Sequence, residues 1–138
     1  MTLIGGSVPE LPSLQTSAAA AGILTAARTL KPLSPLVVIG DPEGLSTNSV
    51  ACLRSHVYLA SCMTTWSPSA LNAYDAVANG TRSLGVGFLR TRGFACWERR
   101  CPAVVGHMIV WMDSSHLTGI YSAQLAAPFR AAFVRVKP

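Results

Sequence analysis

The sequence contains few acidic residues and very little lysine. Only six of its 138 residues are Asp or Glu and two are Lys, whereas nine are Arg, so the formal net charge at pH 7 is +5. So few carboxylates argue against a catalytic carboxylate pair or a multi-carboxylate metal site. The positive charge favours anionic partners such as nucleic acid or anionic lipid, without choosing between them.

Long apolar runs are also missing. The longest, Ala18–Leu24 and Ala103–Met112, fall short of the roughly 20 residues that a membrane-spanning helix needs. Pro9, Glu10 and Pro12 interrupt the N-terminal segment, which therefore lacks the continuous apolar centre of a secretory signal. From these two absences we expect an intracellular, soluble protein with no transmembrane segment.

Common cofactor motifs are absent as well. Gly85-Val86-Gly87 is only a fragment of a dinucleotide-binding loop, and the chain has neither a phosphate loop ending in Gly-Lys-Ser/Thr nor a Gly-x-Ser-x-Gly elbow. The sequence therefore predicts no cofactor.

The composition is that of one folded domain. Half of the residues are hydrophobic and 12% are charged, far from the polar composition of disordered chains. A chain of this length needs only one core. Residues 1–16, which hold two Gly and two Pro and show no period, are predicted to form an extended N-terminal arm. Residues 17–138 are predicted to form a single globular domain.

Helices are predicted mainly in the first half of the chain. Thr16 or Ser17 can cap an alanine-rich helix that runs to about Leu30. A second helix is predicted over 68–78, with Ser67 as N-cap, Pro68 in the first turn and Asn79-Gly80 at the end. For residues 49–63 a helical stripe is favoured, although 56–63 also fits a strand.

Strands are predicted where short apolar runs lie between turn residues. These runs are Leu36–Ile39, Val86–Leu89, Val104–Met112, Gly119–Ala123 and Ala131–Val136. Helices followed by strands indicate an α+β fold in which N-terminal helices pack on a mostly antiparallel C-terminal sheet.

Arginine and aromatic residues are interleaved between Arg82 and Arg100. This segment has five arginines against one acid, Glu98, and contains Phe88, Phe94 and Trp97. Guanidinium groups for phosphates and aromatic faces for bases are the groups that bind single-stranded nucleic acid. Alternatively, the aromatic rings point into the core and the arginines lie on the solvated rim of a hairpin. The predicted nucleic-acid-binding residues are Arg90, Arg92, Phe94, Trp97, Arg99 and Arg100.

The four cysteines, in a chain with no readable export signal, favour reduced thiols over disulfides. Cys96 and Cys101 with His107 and His116 have the donor atoms of a zinc site. However, eight residues separate the two histidines, which does not match structural zinc spacing. The sequence therefore predicts no metal site.

A thiol hydrolase is an alternative that uses the same residue types. It needs a nucleophilic Cys, which Cys52 or Cys62 supplies, and a His base, which His107 or His116 supplies. The runs GVGFLRT, PAVVGHMIVWMD and SSHLTGIYSA resemble the strands around the catalytic His of papain-like cell-wall peptidases of the NlpC type. That resemblance implies Cys62 as nucleophile and His116 as base. The Asp-Cys-Ser-Gly surroundings typical of that family are missing around Cys62.

The leading hypothesis is a small, basic, non-catalytic binding or structural protein that contacts an anionic partner, with nucleic acid favoured. Its composition suits a small viral or accessory protein. The alternatives are the Cys-His thiol hydrolase and a subunit of a larger assembly, which would have a protein partner or form a homo-oligomer through an exposed apolar patch.

Overall fold

The computed structural model describes residues 2–5, 13–40, 45–55 and 58–136, and it combines helices with strands as the sequence predicts. The strands are β1 (Thr2–Gly5), β2 (Leu36–Ile39), β3 (Thr64–Thr65), β4 (Gly87–Leu89), β5 (Arg100–Cys101), β6 (Val104–Val105) and β7 (Met108–Ile109). The α-helices are α1 (Ser13–Leu30), α2 (Ser49–Ser55), α3 (Pro68–Ser83), α4 (Gly119–Gln124) and α5 (Ala126–Val136). Two 3-10 helices cover Leu59–Cys62 and Arg92–Phe94.

The helix α3 begins where the sequence predicts and ends later. The Ser67 hydroxyl accepts a hydrogen bond from the Ala70 N–H at 3.2 Å, which satisfies one of the free donors of the first turn. The helix continues through Gly80 to Ser83 instead of ending at residue 78. Gly80 lies against α1, because a Cβ at this position would come within 2.5 Å of the Leu24 side chain. Close helix packing thus overrides the local stop signal.

The largest sheet has three parallel strands in the order β1-β2-β4. Leu36 and Val38 of β2 form a buried cluster with Ala20 and Ala27 of α1 and Val77 of α3. The early helices therefore pack on a sheet as expected, but that sheet is parallel and takes strands from both halves of the chain. Among the described residues, antiparallel pairing is limited to β3–β5, β6–β7 and isolated bridges.

The predicted N-terminal arm contains regular structure. Thr2–Gly5 form β1, which pairs with β2, and α1 starts at Ser13. Residues 1 and 6–12 of this arm lie outside the described residues. In the ambiguous segment 49–63, α2 and the first 3-10 helix replace the single helix, and residues 56 and 57 lie outside the described residues.

Two predicted C-terminal strands are wrong, because both segments are helical. Residues 119–123 lie in α4, where Thr118 is the N-cap and its hydroxyl accepts from the Tyr121 N–H at 3.2 Å. Residues 131–136 lie in α5, whose alanines favour a helix. Pro128 is tolerated there because N–H groups of the first turn have no partner within the helix. The predicted strand 104–112 is divided into β6 and β7 by Gly106, which has a φ of +59°.

A second buried cluster lies next to the arginine-rich segment. Its members come from α3, β5, α4 and the segments that connect the elements: Leu45, Trp66, Tyr74, Ala95, Cys96, Cys101, Val110, Trp111 and Tyr121. In the described part of the chain, no helix is both long and apolar enough to cross a membrane.

Substitution of Gly40 tests how tightly Tyr74 and Phe88 pack against the backbone at this position. A Cβ at this position would lie 2.5 Å from Cε2 of Tyr74 and 2.7 Å from Cζ of Phe88. We expect Gly40→Ala to lower the free energy of unfolding by about 1–3 kcal/mol, measured by urea denaturation, because both rings must move. The control is Gly22→Ala in α1, where an added Cβ has no neighbour within 4 Å. It should raise stability by about 0.5–1 kcal/mol. Equal stabilities of the two variants would contradict this tight packing.

Candidate functional site

Residues Trp97 to Arg100 form a tight hairpin turn in the arginine-rich segment. The Trp97 N–H donates to the Arg100 carbonyl at 2.9 Å, and the Arg100 N–H donates to the Trp97 carbonyl at 2.7 Å. The two central residues, Glu98 and Arg99, have φ angles of +46° and +67°. Turns with two such residues favour Asn-Gly, and other side chains adopt this left-handed conformation at an energetic cost. The hairpin therefore needs support from outside the turn.

That support comes from a disulfide between Cys96 and Cys101, which closes the hairpin immediately outside the turn. Both cysteines are buried. The Trp66 indole N–H donates to the Cys96 sulfur at 2.9 Å, and Cys101 pairs with Thr64 in the β3–β5 ladder. The base of the hairpin is thus fixed in the core while its tip is exposed.

Three aromatic rings pack edge to face around Tyr74 of α3. The ring centroids of Trp66 and Tyr74 are 5.4 Å apart, and those of Tyr74 and Phe88 are 5.2 Å apart. The Arg92 guanidinium carbon lies 5.6 Å from the Trp66 ring centroid and 5.4 Å from that of Tyr74. Asp75, on α3, lies 3.8 Å from Nη1 of Arg92. Ring contacts and an opposite charge therefore orient this guanidinium.

The Tyr74 hydroxyl fixes the chain that follows β4. It accepts a hydrogen bond from the Thr91 N–H at 3.1 Å, and the Thr91 hydroxyl donates to the Gly40 carbonyl. Burial raises the pKa of the Tyr74 phenol above its ordinary value, so the hydroxyl stays neutral at physiological pH. Arg90 and Arg92 flank Thr91 and are positioned by these bonds.

An open cleft of about 620 Å³ lies between α3 and the hairpin. We call it the arginine cleft. Arg90, Arg92 and Arg99 line it, against the two acids Asp75 and Glu98. Trp97 also lines the cleft and, being 55% exposed, lies at its rim. Arginine and aromatic surfaces are thus brought to one place.

The basic surface continues beyond the cleft. A smaller depression of about 200 Å³ is lined by Arg82 and by Arg90, which also lines the arginine cleft. The Arg90 guanidinium carbon lies 5.9 Å from the centroid of the Phe88 ring. Arg90 therefore connects the two depressions.

Two of the six predicted binding residues lie outside the lining of the arginine cleft. The Phe94 ring packs against that of Phe129 on α5, with centroids 6.2 Å apart, and the Phe94 carbonyl accepts from the Tyr121 hydroxyl at 2.7 Å. Arg100 is exposed and pairs with Thr65 in the β3–β5 ladder. The structure thus brings together Arg90, Arg92, Trp97 and Arg99.

The expectation of reduced thiols is wrong, because all four cysteines form disulfides in the structure. Cys52 on α2 and Cys62 at the end of the first 3-10 helix have Cα atoms 5.5 Å apart and are bonded to each other. The fold brings them together, which their separation of 10 residues in sequence does not show. Neither sulfur is a thiol, so the nucleophile proposed for a Cys62–His116 hydrolase is not present in this oxidised chain.

His116 has a carboxylate partner close in sequence. Its Nδ1 lies 2.8 Å from Oδ2 of Asp113, and the backbone N–H groups of Ser115 and His116 both donate to Oδ1. Burial acts to raise the pKa of Asp113, but these hydrogen bonds and His116 outweigh it and bring the pKa down to about 2. These hydrogen bonds between Asp113, Ser115 and His116 stabilise the exposed loop that contains them. Among the described residues, no three His, Cys, Asp or Glu side chains converge as metal ligands.

Sequence reasoning missed Trp66, Tyr74 and Asp75. They precede the arginine-rich segment in the chain: Tyr74 and Asp75 lie on α3, and Trp66 lies just before that helix. No local pattern marks these residues as part of a site.

The chain was also compared with known proteins. No protein-family model, curated protein or solved structure shows a significant match. The site therefore has to be interpreted from its own residues.

Proposed function

We propose that this chain is a non-catalytic binding protein whose arginine cleft binds single-stranded nucleic acid. The observation that carries the proposal is that Arg90, Arg92 and Arg99 line one open cleft whose rim holds the exposed Trp97. Proteins that bind single strands combine a positively charged groove with aromatic faces on which bases stack. Here the arginines and Trp97 lie close together, on segments held by the Tyr74–Thr91 hydrogen bond and the Cys96–Cys101 disulfide.

The residues have different roles in this proposal. Arg90 and Arg99 contact phosphates, because both are exposed and have no carboxylate partner among the described residues. Arg100, on the neighbouring strand, contacts a phosphate beyond the cleft. Arg92 is engaged with aromatic rings and Asp75, so it shapes the floor of the cleft. Trp97 supplies the stacking face, while the Phe94 ring packs against that of Phe129 on α5.

The test is the salt dependence of binding. Fluorescence anisotropy of a labelled single-stranded oligonucleotide should show saturable binding that weakens steeply with salt, because phosphate contacts release counterions. In the variant Arg99→Ala/Arg100→Ala, the slope of log K against log salt should flatten by about 0.7 for each lost arginine.

The matched control is Arg28→Ala, which removes an exposed arginine on α1 that lines neither the arginine cleft nor the smaller depression. It should leave the slope nearly unchanged. Absence of binding at low salt, or binding that does not respond to salt, would contradict the proposed function. An effect of Arg28→Ala as large as the effect per removed arginine in the double variant would mean that net charge alone determines binding.

A further inference from the structure

The carboxylate of Asp75, on the α3 wall of the arginine cleft, has unused hydrogen-bonding capacity. Asp75 lines the cleft and its side chain is 50% exposed. Its contact with Arg92, at 3.8 Å from Oδ1, is longer than a hydrogen bond. Within the described part of the chain, Oδ2 has no hydrogen-bond partner. Both oxygens can therefore accept hydrogen bonds from a ligand.

The position of this carboxylate is set by its surroundings. Arg92 lies against the rings of Trp66 and Tyr74, and its charge holds the Asp75 carboxylate at the wall of the cleft. An acid in this position repels phosphate, so it weakens a cleft that binds phosphates alone. The arrangement fits a ligand that carries hydrogen-bond donors as well as phosphates.

Among the four DNA bases, guanine matches two carboxylate oxygens best. Its Watson–Crick edge presents two parallel donors, N1–H and N2–H, whereas the edges of adenine, cytosine and thymine each place an acceptor beside a donor. Proteins that recognise single strands read this edge while the base stacks on an aromatic side chain. We propose that Asp75 accepts both donors of a guanine that stacks on Trp97, which gives the cleft a preference for this base. This inference rests on the proposed function, because it assigns the base that the same cleft holds.

The experiment compares short oligothymidines that differ only in the central base, which is guanine, adenine, cytosine or thymine. Affinities are measured by fluorescence anisotropy at one salt concentration. The oligonucleotide with guanine should bind at least about fivefold more tightly than the others, because a bidentate pair to a base gives discrimination of this size. In Asp75→Asn, which has one acceptor and one donor, this preference should disappear. Salt-dependent binding of oligothymidine should persist.

The control is Glu98→Gln, which makes the same change of charge at the hairpin tip of the same cleft. It should keep the preference for guanine, and circular dichroism checks that both variants are folded. Equal affinity for all four oligonucleotides, with binding still dependent on salt, would overturn the inference and leave the proposed function intact. A preference that survives in Asp75→Asn would overturn it too. Failure of every oligonucleotide to bind would overturn both.

Discussion

Removing the hairpin disulfide is expected to lower the affinity for a single-stranded oligonucleotide by about tenfold or more, since stacking on one aromatic residue alone contributes about 1–3 kcal/mol. The variant is Cys96→Ser/Cys101→Ala, in which the serine hydroxyl keeps an acceptor for the Trp66 indole N–H. Glu98 and Arg99 hold left-handed φ angles that cost about 1–2 kcal/mol each. Without the disulfide the turn opens, and Trp97 and Arg99 leave the cleft together.

The second disulfide provides a matched control for stability. By the chain-entropy estimate, loss of either bridge lowers the free energy of unfolding by about 2–3 kcal/mol, because the enclosed segments are similarly short. Cys52→Ala/Cys62→Ala removes the bridge of α2, whose cysteines do not line the arginine cleft. Urea denaturation should show similar destabilisation of both variants, while anisotropy should show weaker binding only in the hairpin variant. Equal binding by both variants, whether at wild-type level or reduced, would contradict a specific role of the hairpin.

The elements predicted correctly have local physical causes. Leu36–Ile39 is a short apolar, β-branched run that ends in Gly40, and it forms β2 with the predicted bounds. The start of α3 depends on the Ser67 cap and on Pro68, both of which act within one turn. Such signals need no knowledge of the rest of the fold.

The elements that were missed depend on distant partners or on weak local signals. Thr2–Gly5 becomes a strand because β2 lies beside it, and pairing across more than thirty residues leaves no mark on so short a segment. The apolar run at 131–136 fits a helix or a strand by periodicity alone. The alanines at the start of α5 decide in favour of the helix, since alanine has the highest helix propensity.

The candidate site was predictable only where it is contiguous in sequence. Charge and aromatic content indicated Arg90, Arg92, Trp97 and Arg99, and all four line the cleft. The opposite wall comes from α3, so no spacing rule could connect Asp75 with these arginines. The disulfides were missed because the thiols were expected to be reduced in a chain with no readable export signal. The fold instead brings the cysteines of each pair within bonding distance.

Substitution of Trp97 tests the contribution of base stacking to binding separately from the contribution of charge. Because its side chain is 55% exposed, substitution should change the free energy of unfolding by no more than about 0.5 kcal/mol. Trp97→Leu keeps an apolar side chain but removes the π face, so affinity for a single-stranded oligonucleotide should fall by about fivefold to a hundredfold. The salt slope should stay unchanged, since no phosphate contact is lost. Trp97→Phe should retain most of the affinity.

The control for this series is Tyr58→Leu, which removes an aromatic side chain that is 77% exposed and lies outside the lining of the cleft. It should bind like the unaltered chain in the same anisotropy titration. If Trp97→Leu also binds like the unaltered chain, the bases do not stack on Trp97, and the arginines alone account for binding. If Trp97→Leu and Trp97→Phe lose affinity equally, the indole contributes something that a phenyl face cannot replace. A loss confined to Trp97→Leu is the result expected of a stacking surface, because only this variant lacks an aromatic ring at the rim of the cleft.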